Sequence, residues 1–137
     1  MSTQTQTTSF KAECWQAVHD LLTDTLKIAL YTGAASLDQT TTAYSATNEI
    51  TGAGYTAGGQ TLTGVTINSE GFVVFSSFNN PSWSGALTAR YALIYNSSKA
   101  DRSIAVLDFG ADKTSVNTFT ITLPANTATS ALLRSSN

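Results

Sequence analysis

Apolar and polar residues alternate along most of this 137-residue chain, which is typical of β-strands with one buried face. Residues 117–123 show the alternation best, because Phe119, Ile121 and Leu123 stand between threonines. Other strand-like runs, separated by turn residues such as those at 110–116, lie at short spacing: 26–31, 61–68 with a bulge suggested at Gly64, 72–75, which is apolar on both faces, 87–95, 103–109 and 131–134. The pattern predicts an all-β fold, a jelly-roll-like antiparallel β-sandwich of seven to eight strands.

Residues 10–22 follow a helical period instead. Their apolar side chains recur at i, i+4 and i+8 and form one stripe: Phe10, Cys14, Val18 and Leu21 with Leu22. Ser9 is placed to cap the N-terminus of this helix. The position of Cys14 on the stripe favours a buried, inert thiol. We therefore expect one short N-terminal helix that packs on the sandwich.

The chain before this helix contains only small polar residues after Met1, so residues 1–9 have nothing to bury. We interpret them as a flexible N-terminal arm, or as an arm that orders against a neighbouring subunit. A chain of 137 residues has room for one core, so residues 10–137 are expected to form a single β-sandwich domain.

The longest break in the strand pattern is the glycine-rich loop at 41–60. Its Gly52–Ala57 segment formally matches a dinucleotide-binding fingerprint, but no helix follows it, and Gly58 with Gly59 would break one. Aromatic residues between glycines are typical of a structured loop that is anchored to a core. We expect a shaped surface for protein contact, and the candidate contact residues are Tyr44, Asn48, Glu49 and Tyr55.

Charged residues make up 12% of the chain, about half of the ~25% that is usual in soluble domains. The net charge is −2 and the seven basic residues are scattered, so we expect no nucleic-acid partner. No run approaches the roughly 18 apolar residues that a membrane span requires, so no membrane partner is expected. The single cysteine excludes an intrachain disulfide, and no signal-peptide pattern is visible, which favours a protein made in a cytoplasm.

Candidate catalytic chemistry is sparse. His19, the one histidine, has no metal-ligand spacing with neighbouring acids, and its i, i+5 separation from Cys14 is poor for a nucleophile and its base. A sugar-binding platform is one interpretation of three aromatic residues, although on alternating strands such residues are more typical of a core: Trp83, Tyr91 and Tyr95. We predict no catalytic, cofactor-binding or metal-binding residue, and therefore no enzyme.

A series of short motifs spreads over residues 10–123. In chain order they are Phe10-Lys11, Val18-His19-Asp20, Asp24–Tyr31 (DTLKIALY), Thr42–Ser45 (TAYS), Thr47–Glu49 (TNE), Gly52–Gly59 (GAGYTAGG) with Leu62, Thr88–Tyr95 (TARYALIY) and Leu107–Gly110 (LDFG). Together they resemble small virion proteins of tailed bacteriophages, of the capsid decoration, or cement, type. The resemblance rests on the order of many motifs and brings no catalytic residue with it.

The resemblance implies a structural protein that binds and stabilises the shell of major capsid protein, often as a homotrimer. It also implies a location on the capsid surface of the virion, after synthesis in the host cytoplasm. Two other functions stay open on the sequence. One is a structural component of the tail, neck or baseplate, because phages reuse such sandwiches. The other is a carbohydrate-binding adhesion module that would use the aromatic residues.

Overall fold

Strands and one short helix form the secondary structure of residues 3–136, the part of the chain that the computed structural model describes. The helix, α1, spans Thr8–Trp15. In chain order the strands are β1 Thr3–Gln6, β2 Leu26–Tyr31, β3 Gln60–Thr61, β4 Thr66–Glu70, β5 Val73–Ser77, β6 Ser82–Ser84, β7 Thr88–Asn96, β8 Arg102–Thr114, β9 Thr118–Thr120 and β10 Leu133–Ser135.

These strands form three antiparallel sheets. The largest has five strands in the order β1-β8-β7-β2-β3, the second has the order β10-β5-β4, and the third pairs β6 with β9. The predicted all-β sandwich with one short N-terminal helix is confirmed, with ten strands among residues 3–136 instead of seven to eight. No helix within residues 3–136 is long and apolar enough to cross a membrane.

The main core lies on one face of the five-stranded sheet. Alternate residues of its central strands are fully buried there, among them Ile28, Leu30 and Ile94. The segment 117–123 supplies the facing side chains as its alternation predicts, since Phe119 is completely buried and Ile121 and Leu123 nearly so. Burial of these aliphatic and aromatic side chains is the main force that holds the sheets together.

The opposite, outer face of this sheet is buried as well. A second cluster, which we call the outer cluster, lies on this face, and each of its members is at most 4% exposed: Ala29, Tyr31, Leu93, Tyr95 and Val106. Residues of the connection between β2 and β3 pack over this cluster. The sequence predicted only one buried face for β2, which was wrong, because the connection that follows β2 folds back over its other face.

Two strand boundaries also differ from the sequence prediction. β8 continues to Thr114, into the turn predicted at 110–116, and Phe109–Asp112 form an irregularity within it opposite the single residue Arg90 of β7. A lone glycine inside a strand can mark a bulge as well as a turn, and Gly110 marks such a site. The run at 61–68 is divided, since β3 belongs to the five-stranded sheet and β4 to the three-stranded one.

The predicted flexible arm at 1–9 is wrong for the residues that the structure describes. Thr3–Gln6 form β1 and pair with β8 from Ala105 to Asp108, whereas residues 1 and 2 lie outside the described range. Strand pairing uses backbone groups, so it needs no apolar side chain. Thr7, which is completely buried, caps α1 by accepting a hydrogen bond from Phe10 N, so the predicted cap at Ser9 is also wrong.

The helix ends at Trp15 and does not reach residue 22. Of its side chains only Phe10 is buried, and Trp15 is 93% exposed. The predicted buried thiol of Cys14 is therefore wrong, because this residue is exposed. Partial burial of the sulfur and the adjacent Glu13 carboxylate nevertheless raise the pKa of the Cys14 thiol, which makes it a weaker nucleophile.

Polar contacts, together with Leu21 on the main core, anchor the segment that follows α1. His19 Nε2 lies 2.8 Å from a Glu13 carboxylate oxygen, and its Nδ1 lies 3.0 Å from Asn96 Nδ2. Asn96 Nδ2 also donates to Asp24 at 2.8 Å, and Lys99 Nζ donates to the same carboxylate at 2.9 Å. Burial alone would raise the pKa of Asp24, but these hydrogen bonds outweigh it and lower the pKa to about 2.

Replacing Gly59 by alanine is expected to destabilise the fold more than the same change at Gly71. Both have positive φ, +79° and +59°, but a Cβ at Gly59 would lie 1.8 Å from Ile28 O, and one at Gly71 meets nothing within 4 Å. We expect Gly71→Ala to cost about 1 kcal/mol and Gly59→Ala more than about 3 kcal/mol. Urea unfolding measures both, and equal losses would contradict the close packing of Gly59 on β2.

Candidate interaction surface

The connection between β2 and β3, residues 32–59, crosses the outer face of the five-stranded sheet; we call it the crossing loop. It leaves β2 and reaches the far edge of the sheet, where Thr42 O accepts from Ser103 N and Tyr44 N donates to Asp101 O, both at 2.9 Å. On the way Leu37 packs on the outer cluster. The loop therefore covers the width of this sheet from β2 to β8.

The crossing loop then returns to the edge of β2 and satisfies its backbone groups. Asn48 O accepts from Thr32 N at 2.9 Å, and Ile50 N donates to Leu30 O at 3.0 Å. The N–H of Leu30 has no neighbouring strand to donate to, and it donates instead to the hydroxyl of Tyr55 at 2.9 Å. A phenol thus replaces a carbonyl at this point of the sheet edge, so the edge is covered.

Glu49 joins the two sides of the loop. Its Oε1 accepts a hydrogen bond from the Tyr44 hydroxyl at 2.6 Å, and its Oε2 accepts from the Tyr55 hydroxyl at 2.5 Å and from Gly58 N at 2.7 Å. Tyr44 packs on the outer cluster, whereas Tyr55 packs on the main core. One half-buried carboxylate therefore connects both faces of the sheet through charge-assisted hydrogen bonds.

Two further tyrosines complete this cluster. The Tyr95 ring stacks on Tyr44 with centroids 4.7 Å apart, and its hydroxyl donates to Gly58 O at 2.6 Å. The Tyr31 hydroxyl donates to Ser45 O at 2.7 Å. Each phenol thus reaches from the sheet to the backbone of the crossing loop, or from the loop to Glu49. We call Glu49 with Tyr31, Tyr44, Tyr55 and Tyr95 the tyrosine–glutamate cluster.

The environment of this cluster suppresses ionisation of its phenols. Burial, followed by the nearby Glu49 carboxylate, raises the pKa values of Tyr31, Tyr44 and Tyr55 well above the ordinary range. Burial, with Asp101 and Glu49, raises the pKa of Tyr95 to about 12. A phenol that donates to a carboxylate must keep its proton, so neutral side chains are the form that holds the loop.

The four predicted contact residues divide into two groups. Tyr44, Glu49 and Tyr55 meet in the tyrosine–glutamate cluster, half-buried and directed toward one another. Asn48 is exposed, adopts φ +62° and donates through its side chain to Ala34 O at 3.2 Å. Hydrogen bonds of these residues hold the crossing loop in its conformation. Their contact with a partner protein stays a prediction.

The exposed side of the crossing loop is polar and uncharged over most of its length. A cleft of about 460 Å³ opens between its two passes over the sheet, and hydroxyl groups dominate its lining: Ser36, Thr40, Thr41, Thr42, Ser45 and Thr47. The loop segments 45–48 and 51–54 are exposed throughout, and Ser45, Thr47 and Asn48 of the first one line this cleft. This surface offers hydrogen-bond donors and acceptors on a backbone that the tyrosine–glutamate cluster fixes.

The three aromatic residues for which a sugar-binding platform was the alternative interpretation do not form one on the surface. Trp83 is 6% exposed and packs on Tyr55 and Phe119, with ring centroids 6.2 and 6.0 Å apart. Tyr95 is buried in the tyrosine–glutamate cluster, and Tyr91 is half-buried. The core interpretation of these aromatic residues is confirmed for Trp83 and Tyr95.

Sequence reasoning missed an apolar groove of about 390 Å³ between α1 and the three-stranded sheet. Trp15, Ile67 and Val74 line it and are exposed by 93%, 48% and 47%. The signal was present in residues 72–75, because a strand that is apolar on both faces must expose one of them at the surface or cover it with a partner.

Comparison of the chain with protein-family models, with curated proteins and with solved structures finds no match. Inference about function therefore rests on the residues themselves and on the geometry that they adopt.

Replacing Glu49 by glutamine tests the tyrosine–glutamate cluster. An amide nitrogen cannot accept hydrogen bonds, so at least one donor among Tyr44, Tyr55 and Gly58 N is left unpaired. We expect the free energy of unfolding to fall by about 3 kcal/mol in urea unfolding. The matched control is Glu70→Gln, an exposed carboxylate, with an expected change within about 0.5 kcal/mol. Equal effects of the two substitutions would contradict a structural role of Glu49.

Alkaline pH is expected to unfold the protein through the same cluster. Because the phenol pKa values are higher in the folded than in the unfolded chain, stability is fully present below about pH 10 and is lost as the pH rises above it. Absorbance of tyrosinate, followed together with circular dichroism, should show these phenols ionising only as the fold is lost. Ionisation of all the tyrosines near pH 10 with the fold intact would overturn this assignment.

Proposed function

We propose that this protein is a non-catalytic structural component of a bacteriophage virion, a capsid decoration protein that binds the major capsid protein and stabilises the shell. The observation that carries the proposal is the crossing loop. The tyrosine–glutamate cluster anchors this long polar segment to both faces of the five-stranded sheet and fixes its path. The resemblance of the sequence motifs to decoration proteins is densest in this same segment.

A fixed loop suits binding to a rigid, repeated surface. Because the path of the loop is determined before contact, little conformational entropy remains to be lost on binding. The exposed hydroxyl and amide groups suit a wide and partly hydrated interface. Their lack of charge predicts an affinity that depends little on salt. Repetition over a symmetric shell would add avidity, so each contact can be modest.

Contacts within the fold occupy Glu49 and His19, which supports a non-catalytic role. Glu49 is occupied by three donors, and His19 lies between Glu13 and Asn96 with its side chain fully buried. The raised pKa of Cys14 disfavours its thiolate. A catalytic acid, base or nucleophile must reach a substrate, whereas Glu49 and His19 are directed toward partners within the fold.

Binding to purified shells tests the proposal. Shells of the encoding phage, prepared without this protein, are mixed with the wild type and with Thr47→Lys, which places a charge on the exposed side of the crossing loop. The control is Val116→Lys, since Val116 is 81% exposed and lies outside the loop. We expect the wild type and the control to sediment with the shells at a fixed ratio, and Thr47→Lys to bind at least about tenfold more weakly.

Two outcomes would overturn the capsid assignment. One is a wild-type protein that does not bind the shells. The other is localisation of the protein on tails, necks or baseplates by electron microscopy of the virion, which would establish the alternative structural role. Loss of binding in Val116→Lys together with Thr47→Lys would contradict the assignment of the crossing loop as the contact surface.

A further inference from the structure

No strand pairs with the outer edge of β4 in the part of the chain that the structure describes, where one side chain, that of Asn126, donates to the Thr66 hydroxyl at 3.0 Å. All five of its residues are exposed, and β5 is its one neighbouring strand. Gly71 and Phe72 form a two-residue hairpin turn, so Glu70 and Val73 are the first hydrogen-bonded pair. The antiparallel alternation then directs the N–H and C=O groups of Ile67 and Ser69 to the free edge.

Exposed apolar side chains accompany this edge. Ile67 and Val74 lie on the same face of the hairpin and line the groove whose other wall is α1 with Trp15. Phe72, at the tip of the hairpin, is 83% exposed. The hydroxyl of Ser76 lies in the same groove, buried and without a hydrogen-bond partner among the described residues. Open backbone groups and apolar side chains together are features of an unfilled strand-pairing site.

We propose that β4 pairs with β4 of a second copy of this chain, antiparallel and about a twofold axis at Asn68. In this register Ile67 of each copy stands opposite Ser69 of the other. All four outward N–H and C=O groups on each side are then used in four backbone hydrogen bonds. The two three-stranded sheets become one six-stranded sheet, and the interface is isologous.

The side chains of β4 are complementary to themselves in this register. Glu70 stands opposite Thr66 and Asn68 opposite Asn68, so no like charges face each other. Directly opposite residues of antiparallel strands point to the same face, so the two apolar grooves lie on one side of the joined sheet and merge there.

Strand length favours β4 as the edge that a second copy pairs with. With five residues it is the longest edge strand in the described part of the chain, because β1 has four, β3 has two, and β6, β9 and β10 have three each. On β4 neither lysine nor proline blocks addition of a strand. One symmetric register satisfies every outward backbone group of the strand. This pairing does not depend on the proposed capsid partner, because it concerns the isolated chain.

Sedimentation equilibrium over a range of concentrations tests the pairing. The wild type should reach twice the 14.4 kDa mass of the chain. Ser69→Pro removes only an outward N–H and should return the protein to a monomer, whereas Ser69→Ala keeps that N–H and should remain a dimer. Ile67→Lys, which places a charge at the edge without a backbone change, should also give the monomer. Circular dichroism checks that each variant is folded.

Hydrogen exchange supplies the residue-level test. The amides of Ile67 and Ser69 should be protected at concentrations where the dimer forms and should exchange freely on dilution. A wild type that stays monomeric at high concentration with free exchange at both amides would overturn the proposal. The proposal would also be overturned if the wild type forms an oligomer of any size and both variants, Ser69→Pro and Ile67→Lys, are folded and keep the mass of that oligomer.

Discussion

A half-buried carboxylate needs hydrogen-bond donors, and this requirement at Glu49 fixes the path of the crossing loop. Two phenols and one backbone N–H supply the donors, and they come from different parts of the loop. Because Tyr44 packs on one face of the sheet and Tyr55 on the other, the carboxylate can be satisfied only when the loop wraps the edge of β2. The burial of the outer face of the sheet, the covered edge and the ordered surface all depend on this arrangement.

The same arrangement explains why a segment rich in glycine and threonine can act as a binding surface. Free glycine-rich chains lose much entropy when a partner orders them, and this one is ordered by its own fold. The groups left facing outward are mainly hydroxyls, amides and backbone, with Asp38 as an exposed charge, while Glu49 and the tyrosines are turned inward. A surface of this kind recognises shape and hydrogen-bond pattern, which fits a repeated structural contact better than the binding of a charged ligand.

Local pattern predicted the strands well and the long-range contacts poorly. The alternation around Phe119 identified both the strand and its buried face, because that face meets the core directly. The second buried face of β2 could not be predicted, since Tyr44 and its neighbours come from a loop with no period of its own. The predicted helix is too long because Leu22 falls on the helical spacing. Long-range contacts such as that of Asp24 with Asn96 decide the path of the chain after Trp15 instead. The glycine-rich setting of Tyr44, Glu49 and Tyr55 predicts residues that contact a partner, but their side chains point into the fold.

Native-state hydrogen exchange at Leu30 and Gly58 tests the central claim most directly, because their amides donate to Tyr55 and to Glu49. If the tyrosine–glutamate cluster fixes the crossing loop, both amides should open with free energies within about 1 kcal/mol of Leu93 in the central strand β7. Exchange of Leu30 and Gly58 at the rate of an ordinary exposed loop, with Leu93 still protected, would contradict the claim.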